Sequence, residues 1–309
     1  MQNQSAPIYV IGSINTDLVV RTPTLPRPGE TVMGSDFVVT AGGKGANQAV
    51  AASRLGGAVS LVARLGTDAF GDQALTRLQA DDINCAWVTR DTTSPSGVAL
   101  ISVDEAGNNQ IVVAPGANDT LGLAEVDAAL AGIPADAVVL LQLEIPFHTV
   151  SQAIAQLAGP TRRVILDPAP ARPLPAEPLA GVYLVTPNET EAEALTGVRV
   201  CDEKTASEAA TELIGMGARN VIITLGGFGA LLATPSGTTR IAAPSVVAID
   251  STAAGDCFNG ALAVGLADNL SLYDSVHWAC RVASMSVTRR GAQDSLPYAH
   301  EAPARRTQA

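Results

Sequence analysis

An aspartate near the end of the chain stands in a setting that suits transfer of an anionic group. Asp256 follows the small residues Ala253, Ala254 and Gly255 at the point where a helical pattern begins. The first N–H groups of a helix lack partners within the helix, and the positive end of its dipole attracts an anion such as a phosphate. On this stretch alone, an ordinary charged first turn of a core helix is the simpler interpretation.

Side chains that can bind hydroxyl groups form a second set, in the first fifty residues. The run GGKGAN at 42–47 combines glycines, which let a backbone approach a ligand closely, with Lys44 and Asn47, which can hydrogen-bond hydroxyls. Asp17, close to Asn15 after the first predicted strand, could accept hydrogen bonds from two neighbouring hydroxyls. The alternatives are a flexible loop with a solvated lysine, and a turn or helix-cap role for Asp17.

Two later stretches could serve a nucleotide. Asn188 and Glu191 follow a buried strand three residues apart, so they share one face of a first helical turn and could hold a hydrated Mg²⁺. The same spacing suits an N-cap with its capping-box partner, which needs no metal. The glycine-rich run TLGGFG at 224–229 could admit nucleotide phosphates or could form a plain hairpin turn.

Several well-known phosphate and nucleophile motifs are absent from the sequence. The P-loop pattern requires Ser or Thr after its lysine, but Lys44, in the chain's only Gly-Lys pair, is followed by Gly45. The sequence has no dinucleotide-binding G-x-G-x-x-G after the first strand, no protein-kinase catalytic loop and no G-x-S-x-G elbow. Neither a P-loop enzyme nor a Rossmann dehydrogenase is therefore favoured.

The composition excludes some partners and sites. A net charge of -11 argues against a nucleic-acid-binding surface, because that affinity comes largely from Lys and Arg at phosphates. Four scattered cysteines and three histidines form no zinc pattern, and unpaired thiols suit a reducing cytoplasm. No apolar run approaches the roughly 18 residues of a membrane span. We expect a cytoplasmic protein without a nucleic-acid or membrane partner.

Apolar strands alternate with helical patterns along most of the chain. We predict strands at Ile8–Ile11, Val59–Ala63, Ala137–Leu141, Val164–Leu166, Val182–Val185, Val221–Leu225 and Val246–Ile249. Predicted helices fall at 42–55, 71–82, 149–157, 190–195, 204–216, 254–268 and 272–288, with a hairpin at 228–234 and 239–242. This alternation predicts a mainly parallel sheet covered by helices on both faces.

Two β-prone segments interrupt this alternation. Leu18–Arg21 and Thr31–Thr40 are rich in Val and Thr, and Gly97–Val103 and Gln110–Val113 read as a hairpin around a polar turn. We expect these segments, about 14–40 and 95–115, to pair as a small sheet that projects from one domain spanning 1–309. Such a sheet would lie like a lid beside the candidate site.

Taken together, the motifs resemble the PfkB family of carbohydrate kinases, and its ribokinase branch in particular. The resemblance runs from the GSINTD run at 12–17 to the VTRRGAQ run at 287–293, with its specific anchors at Gly42–Asn47 and Asp250–Asp256. It implies a ribokinase-like three-layer α/β/α fold with a mainly parallel central sheet and a small β-sheet lid. It also implies ATP-dependent phosphorylation of D-ribose at its 5-hydroxyl, giving D-ribose 5-phosphate and ADP.

The resemblance also implies residue roles. Asp256 would be the general base, and the amides of Ala253, Ala254 and Gly255 would form an anion hole. The sugar would be held by Asn15, Asp17, Gly42, Gly43, Lys44, Asn47, Glu144 and Asp256. ATP would contact Asn188, Thr224, Gly226, Gly227, Gly229, Ala254 and Gly255, with Glu191 organising Mg²⁺ through water. An activating K⁺ would lie among Asp250, Thr252, Ser286, Arg289, Gly291 and Ser295, and the lid would form a homodimer contact.

Three positions depart from the family pattern. Ala253 replaces a commoner glycine, Ser251 replaces a usual threonine, and Cys280 stands where some members place a histidine near the adenine. The last contact is therefore not carried over.

Three alternatives to a ribokinase remain. One is a kinase for deoxyribose or another sugar, and another is a nucleoside kinase, which the 4% aromatic content and ring-free sugar motifs disfavour. The third is a catalytically silent sugar-binding regulator, against which Asp256 and its intact neighbours argue.

Overall fold

The polypeptide folds around two β-sheets of unequal size. The computed structural model describes residues 5–157, 159, 161–174 and 179–305. The larger sheet has nine strands: β1 (Ile8–Ile11), β4 (Val59–Gly66), β5 (Asn84–Asp91), β8 (Val138–Leu141), β9 (Arg163–Leu166), β10 (Leu184–Val185), β11 (Val221–Thr224), β12 (Ala230–Thr234) and β13 (Gly237–Ile241). The predicted combination of a large main sheet and a small second sheet is confirmed.

The large sheet is parallel except at one edge. Its strand order is β13-β12-β11-β10-β9-β8-β1-β4-β5, and only β12 and β13 run antiparallel to their neighbours. Eight helices accompany it within the described residues: α1 (Lys44–Arg54), α2 (Ala69–Ala80), α3 (Leu123–Leu130), α4 (Phe147–Leu157), α5 (Glu189–Thr196), α6 (Glu203–Gly215), α7 (Ala254–Ala267) and α8 (Leu272–Ser286).

Successive strand residues supply two separate cores, one on each face of the large sheet. Val138 and Leu140 of β8 pack with α1, α7 and α8, whereas Val139 and Leu141 pack with α3, α4 and α6. This is the alternation that a fully covered parallel strand requires. Because both faces are buried, the ends of the strands are the places left for polar residues that meet ligands.

The smaller sheet is the predicted lid. Its strands are β2 (Asn15–Arg21), β3 (Phe37–Gly42), β6 (Gly97–Val103) and β7 (Asn109–Ala114), in the order β3-β2-β6-β7. Strand β2 pairs parallel with β6, and the other two pairings are antiparallel. The N-terminal end of β2 begins beside the carboxyl edge of the large sheet, so the lid reaches the candidate site through its first residues.

Two local predictions are wrong, and one edge strand was missed. Val246–Ile249 forms no strand: Val247 is 84% exposed, and the N–H groups of Ile249 and Asp250 both donate to the carbonyl of Val287, just after α8, instead of to a neighbouring strand. Residues 31–36 precede β3 without joining it. The edge strand β5 was not predicted, since its polar, half-exposed sequence lacks the apolar run of an inner strand.

No helix among the described residues is long and apolar enough to cross a membrane.

Candidate active site

Polar side chains gather at one edge of the large sheet. Strands β1, β8, β9 and β10 run parallel, so their carboxyl ends meet on the same side, where ligands of such sheets bind. The residues that follow these strands include Ser13, Gln142, Glu144, Asp167 and Asn188. Helices α1 and α7 begin at this same edge, and they contribute the glycine motif and the candidate base.

Asp256 lies in the first turn of α7 and is only 4% exposed. Its Oδ2 accepts a hydrogen bond from Nδ2 of Asn47 at 2.9 Å, and its Oδ1 accepts one from Nε2 of Gln48 at 3.1 Å. The ammonium group of Lys44 lies 4.0 Å from Oδ1. The two helix starts that the sequence singled out therefore meet at one carboxylate, although 209 residues separate Asn47 from Asp256.

Lys44 is the cation that the surrounding carboxylates share. Its Nζ lies 4.0 Å from both Asp167 and Asp256. Burial by itself lowers the pKa of Lys44, but the charges of Asp256, Asp167, Glu144 and Glu191 outweigh it and hold the pKa above its usual range. The lysine therefore stays charged, and it offsets part of the negative charge that a phosphate would meet at this edge.

Asp167 is a buried carboxyl that follows β9. Its Oδ2 accepts from Nε2 of Gln48 at 2.7 Å. Burial raises the pKa of Asp167 to about 8, although Lys44 opposes this shift, and the charges of Asp256 and Glu191 add to it. The carboxyl group of Asp167 is therefore harder to ionise than that of an exposed aspartate.

The start of the lid brings Asp17 to the site. Burial raises the pKa of Asp17 to about 6, with smaller contributions from the charges of Glu144 and Asp256. A Cβ at Gly42 would lie 2.3 Å from the Asp17 carboxylate, and one at Gly43, whose φ is +90°, would lie 2.5 Å from the backbone nitrogen of Asn15. Glycine at these two positions is therefore required for the lid strand to pack against the start of α1.

Glu144 and Asn15 complete this side of the site. Oε2 of Glu144 accepts from the hydroxyl of Ser13 at 2.5 Å and from the backbone N–H of Lys44 at 3.0 Å. Oδ1 of Asn15 accepts from Nδ2 of Asn118 at 2.7 Å, so its own amide N–H groups are the ones oriented for a ligand. Amide donors, carboxylate acceptors and a lysine thus line one small region, a mixture that suits a polyhydroxy compound.

The loop before α7 has an unusual backbone. Ala253, the N-cap residue, adopts a left-handed conformation with φ 58°, which is uncommon for a residue with a side chain. The N–H of Ala254 donates to the carbonyl of Ser251 at 3.2 Å. A Cβ at Gly255 would meet no atom within 4 Å, so open space lies over the helix start. The predicted anion-hole roles stay predictions, with Ala254 already holding an internal partner.

The predicted nucleotide residues lie together at the neighbouring strand ends. Asn188 and Thr224 form an isolated parallel β-bridge. A Cβ added at Gly226 or at Gly227 would meet no atom within 4 Å. Gly229 differs, because a Cβ there would collide with the carbonyl oxygen of Ile241 at 2.1 Å. The first two glycines therefore border open space, while the third is explained by packing.

Asn188 and Glu191 form the capping box that the sequence also allowed. Oδ1 of Asn188 accepts from the N–H of Glu191 at 2.8 Å, and Oε2 of Glu191 accepts from the N–H of Asn188 at 2.8 Å. Burial raises the pKa of Glu191, although the N–H of Asn188 and the charge of Lys44 oppose that shift. A carboxylate has about four acceptor sites, so the capping bond leaves capacity for a metal-bound water.

The described residues contain no group of three or more metal-ligating side chains. Mg²⁺ commonly keeps several waters and is held by one or two carboxylates together with substrate phosphates, and the spare acceptor capacity of Glu191 is of that kind.

Asp250 joins the two loops predicted to hold K⁺. Its Oδ1 accepts from the N–H and the hydroxyl of Thr252 at 2.9 and 2.6 Å, and its Oδ2 accepts from the N–H of Gly291 at 2.9 Å. Burial alone would raise the pKa of Asp250, but these bonds lower it. These three bonds fix the carboxylate between the two loops and leave some of its acceptor capacity, besides the backbone carbonyls of the loops, for a monovalent cation.

Three other predicted cation residues lie close to Gly291 in the sequence, and their side chains have hydrogen-bond partners other than Asp250. The guanidinium of Arg289 pairs with Glu301 at 2.7 Å, the hydroxyl of Ser286 donates to the carbonyl of Ala283, and that of Ser295 donates to the carbonyl of Ala292. A hydroxyl that donates its hydrogen keeps its oxygen lone pairs, so Ser286 and Ser295 retain side-chain acceptors for a cation, whereas Arg289 can offer only its backbone carbonyl.

The sequence matches a known family of enzymes. The sequence model of the pfkB family of carbohydrate kinases matches residues 6–299. The chain belongs to the PfkB family. It is 40% identical to the ribokinase of Haemophilus influenzae over 295 residues, which cover 95% of this chain and 96% of that one.

Two further PfkB relatives bear on the substrate and the fold. The deoxyribokinase of Salmonella typhi is 36% identical over 94% of this chain and 95% of its own. The structure of Arabidopsis thaliana ribokinase complexed with ribose and ATP is 30% identical and has a TM-score of 0.87, covering 96% of this chain and 97% of that chain. These similarities agree with the predicted family and the predicted fold.

Four buried residues of the candidate site were not predicted from the sequence. Gln48, Gln142, Asp167 and Gln293 lie buried around the candidate base or its neighbours. Two of them, Gln142 and Asp167, directly follow strands β8 and β9, as Glu144 nearly does, so position at a carboxyl strand end was the available signal. Gln48 follows Asn47 in the glycine motif, and Gln293 lies between two predicted cation residues.

Proposed function

We propose that this PfkB kinase is a ribokinase, which transfers the γ-phosphate of ATP to the 5-hydroxyl of D-ribose. The observation that carries this proposal is the position of Asp256, whose buried carboxylate stands at the open start of α7 beside Asn47 and Lys44. The full-length similarity to ribokinases supports the same substrate.

The sugar would lie between the lid and the starts of α1 and α7. Asp17 and Glu144 would accept hydrogen bonds from hydroxyls, while Asn15, Lys44 and Asn47 would donate them. Gly42 and Gly43 would allow the sugar and the lid strand to lie close to the backbone. This arrangement would direct the terminal hydroxyl toward Asp256.

Asp256 would take the proton of the 5-hydroxyl while the oxygen attacks the γ-phosphorus. The new O–P bond would form as the bond from phosphorus to the bridging oxygen of ATP breaks, and ADP would leave with that electron pair. A positioned base of this kind contributes about 10²–10⁴-fold to a rate. Phosphoryl transfer otherwise needs mainly positioning and charge stabilisation.

The N–H groups of Ala253, Ala254 and Gly255 would stabilise the negative charge on the transferred group. Loss of one such donor typically costs about 3–4 kcal/mol of transition-state stabilisation. The N–H of Ala254 donates to Ser251 in the free protein, so it would exchange this partner for a phosphate oxygen.

ATP would bind along the neighbouring strand ends. Asn188, Thr224 and the glycines of 226–229 would line its phosphates, with Glu191 orienting waters of Mg²⁺. Mg²⁺, when bound with ATP, supplies positive charge at the phosphate oxygens.

A monovalent cation, K⁺ in this proposal, would be held by the loops that Asp250 joins. Thr252, Ser286, Arg289, Gly291 and Ser295 are its proposed neighbours, mostly through backbone carbonyls. The cation would support the loop conformation that aims the anion-hole amides.

The proposed protein has a single kinase domain, and two copies of it form a homodimer through their lids. Large apolar side chains are exposed on the lid, at Phe37, Val38, Leu100, Ile111, Val112 and Val113. An apolar surface of this kind is typical of a protein interface. The four free cysteines suit a reducing cytoplasm, which is the proposed location.

A deoxyribose kinase is the second candidate, because the deoxyribokinase relative is nearly as similar to this chain as the ribokinase. The test is kcat/KM with ATP for ribose, 2-deoxyribose, fructose and adenosine, each with and without K⁺. We expect ribose to be preferred, and a preference for any other acceptor overturns the proposal. Absence of turnover with all four, together with measurable sugar binding, would indicate a silent regulator.

A further inference from the structure

Each oxygen of the Asp256 carboxylate receives one amide N–H, and each of these amides is itself held by a glutamine. On one side, Nε2 of Gln293 donates to Oδ1 of Asn47 at 3.2 Å, and Nδ2 of Asn47 donates to Oδ2 of Asp256 at 2.9 Å. On the other, Nε2 of Gln142 donates to Oε1 of Gln48 at 2.6 Å, and Nε2 of Gln48 donates to Oδ1 of Asp256 at 3.1 Å.

The pair Gln142–Gln48 is positioned for a role behind the base rather than at the ligand. Both side chains have 0% exposure, so neither presents atoms to a substrate. A buried carboxamide costs free energy unless its groups are paired, and Gln48 has every polar group paired by Gln142, Asp167 and Asp256.

The orientation of the Gln48 carboxamide is fixed by its partners. Its oxygen accepts from Gln142, so its NH₂ group faces two carboxyl groups, with one hydrogen for Asp256 and one for Asp167. The reversed orientation would direct the oxygen at both carboxyl groups and the NH₂ at the NH₂ of Gln142. The donor from Gln142 therefore favours the same orientation of Gln48 as the two carboxyl groups do, and it holds the Gln48 oxygen from behind.

The position of Gln142 is fixed in turn by Gly12. A Cβ at Gly12 would lie 2.0 Å from Oε1 of Gln142, so the glycine leaves the space that this side chain fills. That oxygen has no hydrogen-bond partner within the described part of the chain, an unfavourable arrangement in a buried site. An apolar side chain would fill this space without leaving an unpaired oxygen. The hydrogen bond to Gln48 is therefore the contact that the amide of Gln142 provides.

We propose that Gln142 and Gln48 are positioning residues for Asp256: Gln142 orients Gln48, and Gln48 holds Oδ1 of the base toward the sugar hydroxyl. The inference rests on the proposed role of Asp256 and extends it to residues without substrate contact. A catalytic group that loses such support can be misplaced by about 1 Å, which costs up to about 10²-fold in rate.

The test is Gln142→Met, which keeps the volume and removes the donor to Gln48. Because Gln142 touches no ligand, we expect kcat to fall about tenfold while KM for ribose and for ATP changes by less than about twofold. Gln142→Leu is the second variant, since it also removes the donor to Gln48 but replaces it with an apolar side chain of a different shape. We expect it to lower kcat at least as much as the methionine.

Thr149→Val is the matched control for loss of a buried hydrogen bond. Thr149 is fully buried, and its hydroxyl donates to the carbonyl of Leu121 at 3.0 Å, on the α4 side of the sheet. We expect the control to lower the melting temperature comparably and to leave kcat unchanged. A comparable fall in kcat in Thr149→Val would show that the effect is one of general stability and would overturn the proposal.

A double-mutant cycle with Asp256→Asn separates this inference from the function it rests on. If Gln142 acts through Asp256, adding Gln142→Met to Asp256→Asn lowers the residual rate no further. Equal fold losses in both backgrounds, or wild-type kcat in both Gln142 variants, overturn the positioning role. Near-normal turnover of Asp256→Asn alone instead overturns the base itself.

Discussion

The carboxylate of Asp250 accepts a hydrogen bond from the backbone N–H of Gly291 at 2.9 Å and so joins two loops that are 41 residues apart in the chain. The first loop leads into α7 and carries the left-handed Ala253, and the second follows α8. The conformation at the start of α7 therefore depends on a contact outside α7. A cation held by the same two loops would act on that conformation as well.

Activation by K⁺ is expected to depend on Asp250. In Asp250→Asn, an amide NH₂ can face the N–H of Gly291, which replaces an attraction by a clash of two donors. We expect the K⁺ concentration for half-maximal activity to rise about tenfold, as loss of one charge-assisted hydrogen bond would give. The measurement is a K⁺ titration of kcat at constant ionic strength.

Sodium is the matched control for that titration. We expect wild-type activity with K⁺ to exceed that with Na⁺, and equal rates in the two salts would contradict the cation site.

Asp256→Asn is expected to remove most turnover without removing binding. The amide keeps the shape of the side chain but cannot accept the hydroxyl proton as a carboxylate does, so kcat should fall by about 10²–10⁴-fold. Calorimetric affinities for ribose and for a non-hydrolysable ATP analogue should stay within about tenfold of the wild type, since only one contact changes. A variant with near-normal kcat would exclude Asp256 as the base.

The affinity for ribose is expected to weaken in mild acid because of Asp17. With its pKa raised to about 6, Asp17 is ionised at neutral pH and becomes protonated as the pH falls below 6, which removes a hydroxyl acceptor. At one pH unit below that pKa about a tenth of the protein keeps the carboxylate, so KM for ribose should rise about tenfold. The measurement is KM for ribose across this range.

Asp17→Asn serves as the control for the acid effect. Its KM for ribose should be high and nearly independent of pH in the same range. A variant that keeps the wild-type pH dependence would assign the effect to another group.

Stability is expected to respond to pH through Asp167. Its pKa is raised from 3.8 to about 8, so the folded state binds the proton more tightly than the unfolded state. Its contribution to folding is therefore fully present below the unfolded pKa and is lost as the pH rises through the folded value. Asp167→Asn should consequently stabilise the protein more at alkaline than at acid pH.

The measurement is urea unfolding of wild type and Asp167→Asn on both sides of neutrality. An asparagine oxygen can still accept from Gln48, so the comparison isolates the ionisation. A difference between the two proteins that does not change with pH would contradict the expected shift.

A dimer through the lid is expected to dissociate when charges are placed on both of its faces. Ile111 and Val112 are neighbours on the edge strand β7, 54% and 65% exposed, and consecutive strand residues point to opposite faces. Ile111→Glu with Val112→Glu should yield monomers in sedimentation at concentrations where the wild type is dimeric. Burying an unpaired carboxylate at an apolar interface is strongly unfavourable.

The matched control lies on the same strand. Asn109→Glu with Gln110→Glu adds the same charge at polar positions and should leave the dimer intact. If both double variants dissociate, the added net charge and not the loss of apolar contact is the cause. A wild-type protein that is already monomeric would exclude the lid interface.

The sequence predicted the strands best where burial in the core imposes a continuous apolar pattern. The inner strands of the large sheet are continuous apolar runs, and such runs have few alternatives to burial. Edge strand β5 lacked that pattern, and Val246–Ile249 had strand-like composition without a strand to pair with. Pairing partners are set by the whole fold, so composition alone misjudged both segments.

The site residues that belong to short sequence motifs could be predicted. The glycine run before α1 and the acid of α7 were recognisable, and the structure brings Asn47 and Asp256 together. Gln48 and Gln142 gave no such signal, because a glutamine in a helix or after a strand is usually exposed and chemically neutral. Their significance comes from tertiary contacts between segments about ninety residues apart, which no local pattern encodes.

The convergence of distant segments on Asp256 makes catalysis a reporter of complete folding. Asn47 comes from near the start of the chain, Asp167 from its middle and Asp256 from near its end, and all three meet only once β1, β8, β9 and α7 have assembled. A partly folded chain would contain the sequence motifs without the site, and a fragment lacking either end would lack one of the motifs as well. Recovery of activity during refolding should therefore coincide with the last step of assembly and never precede it.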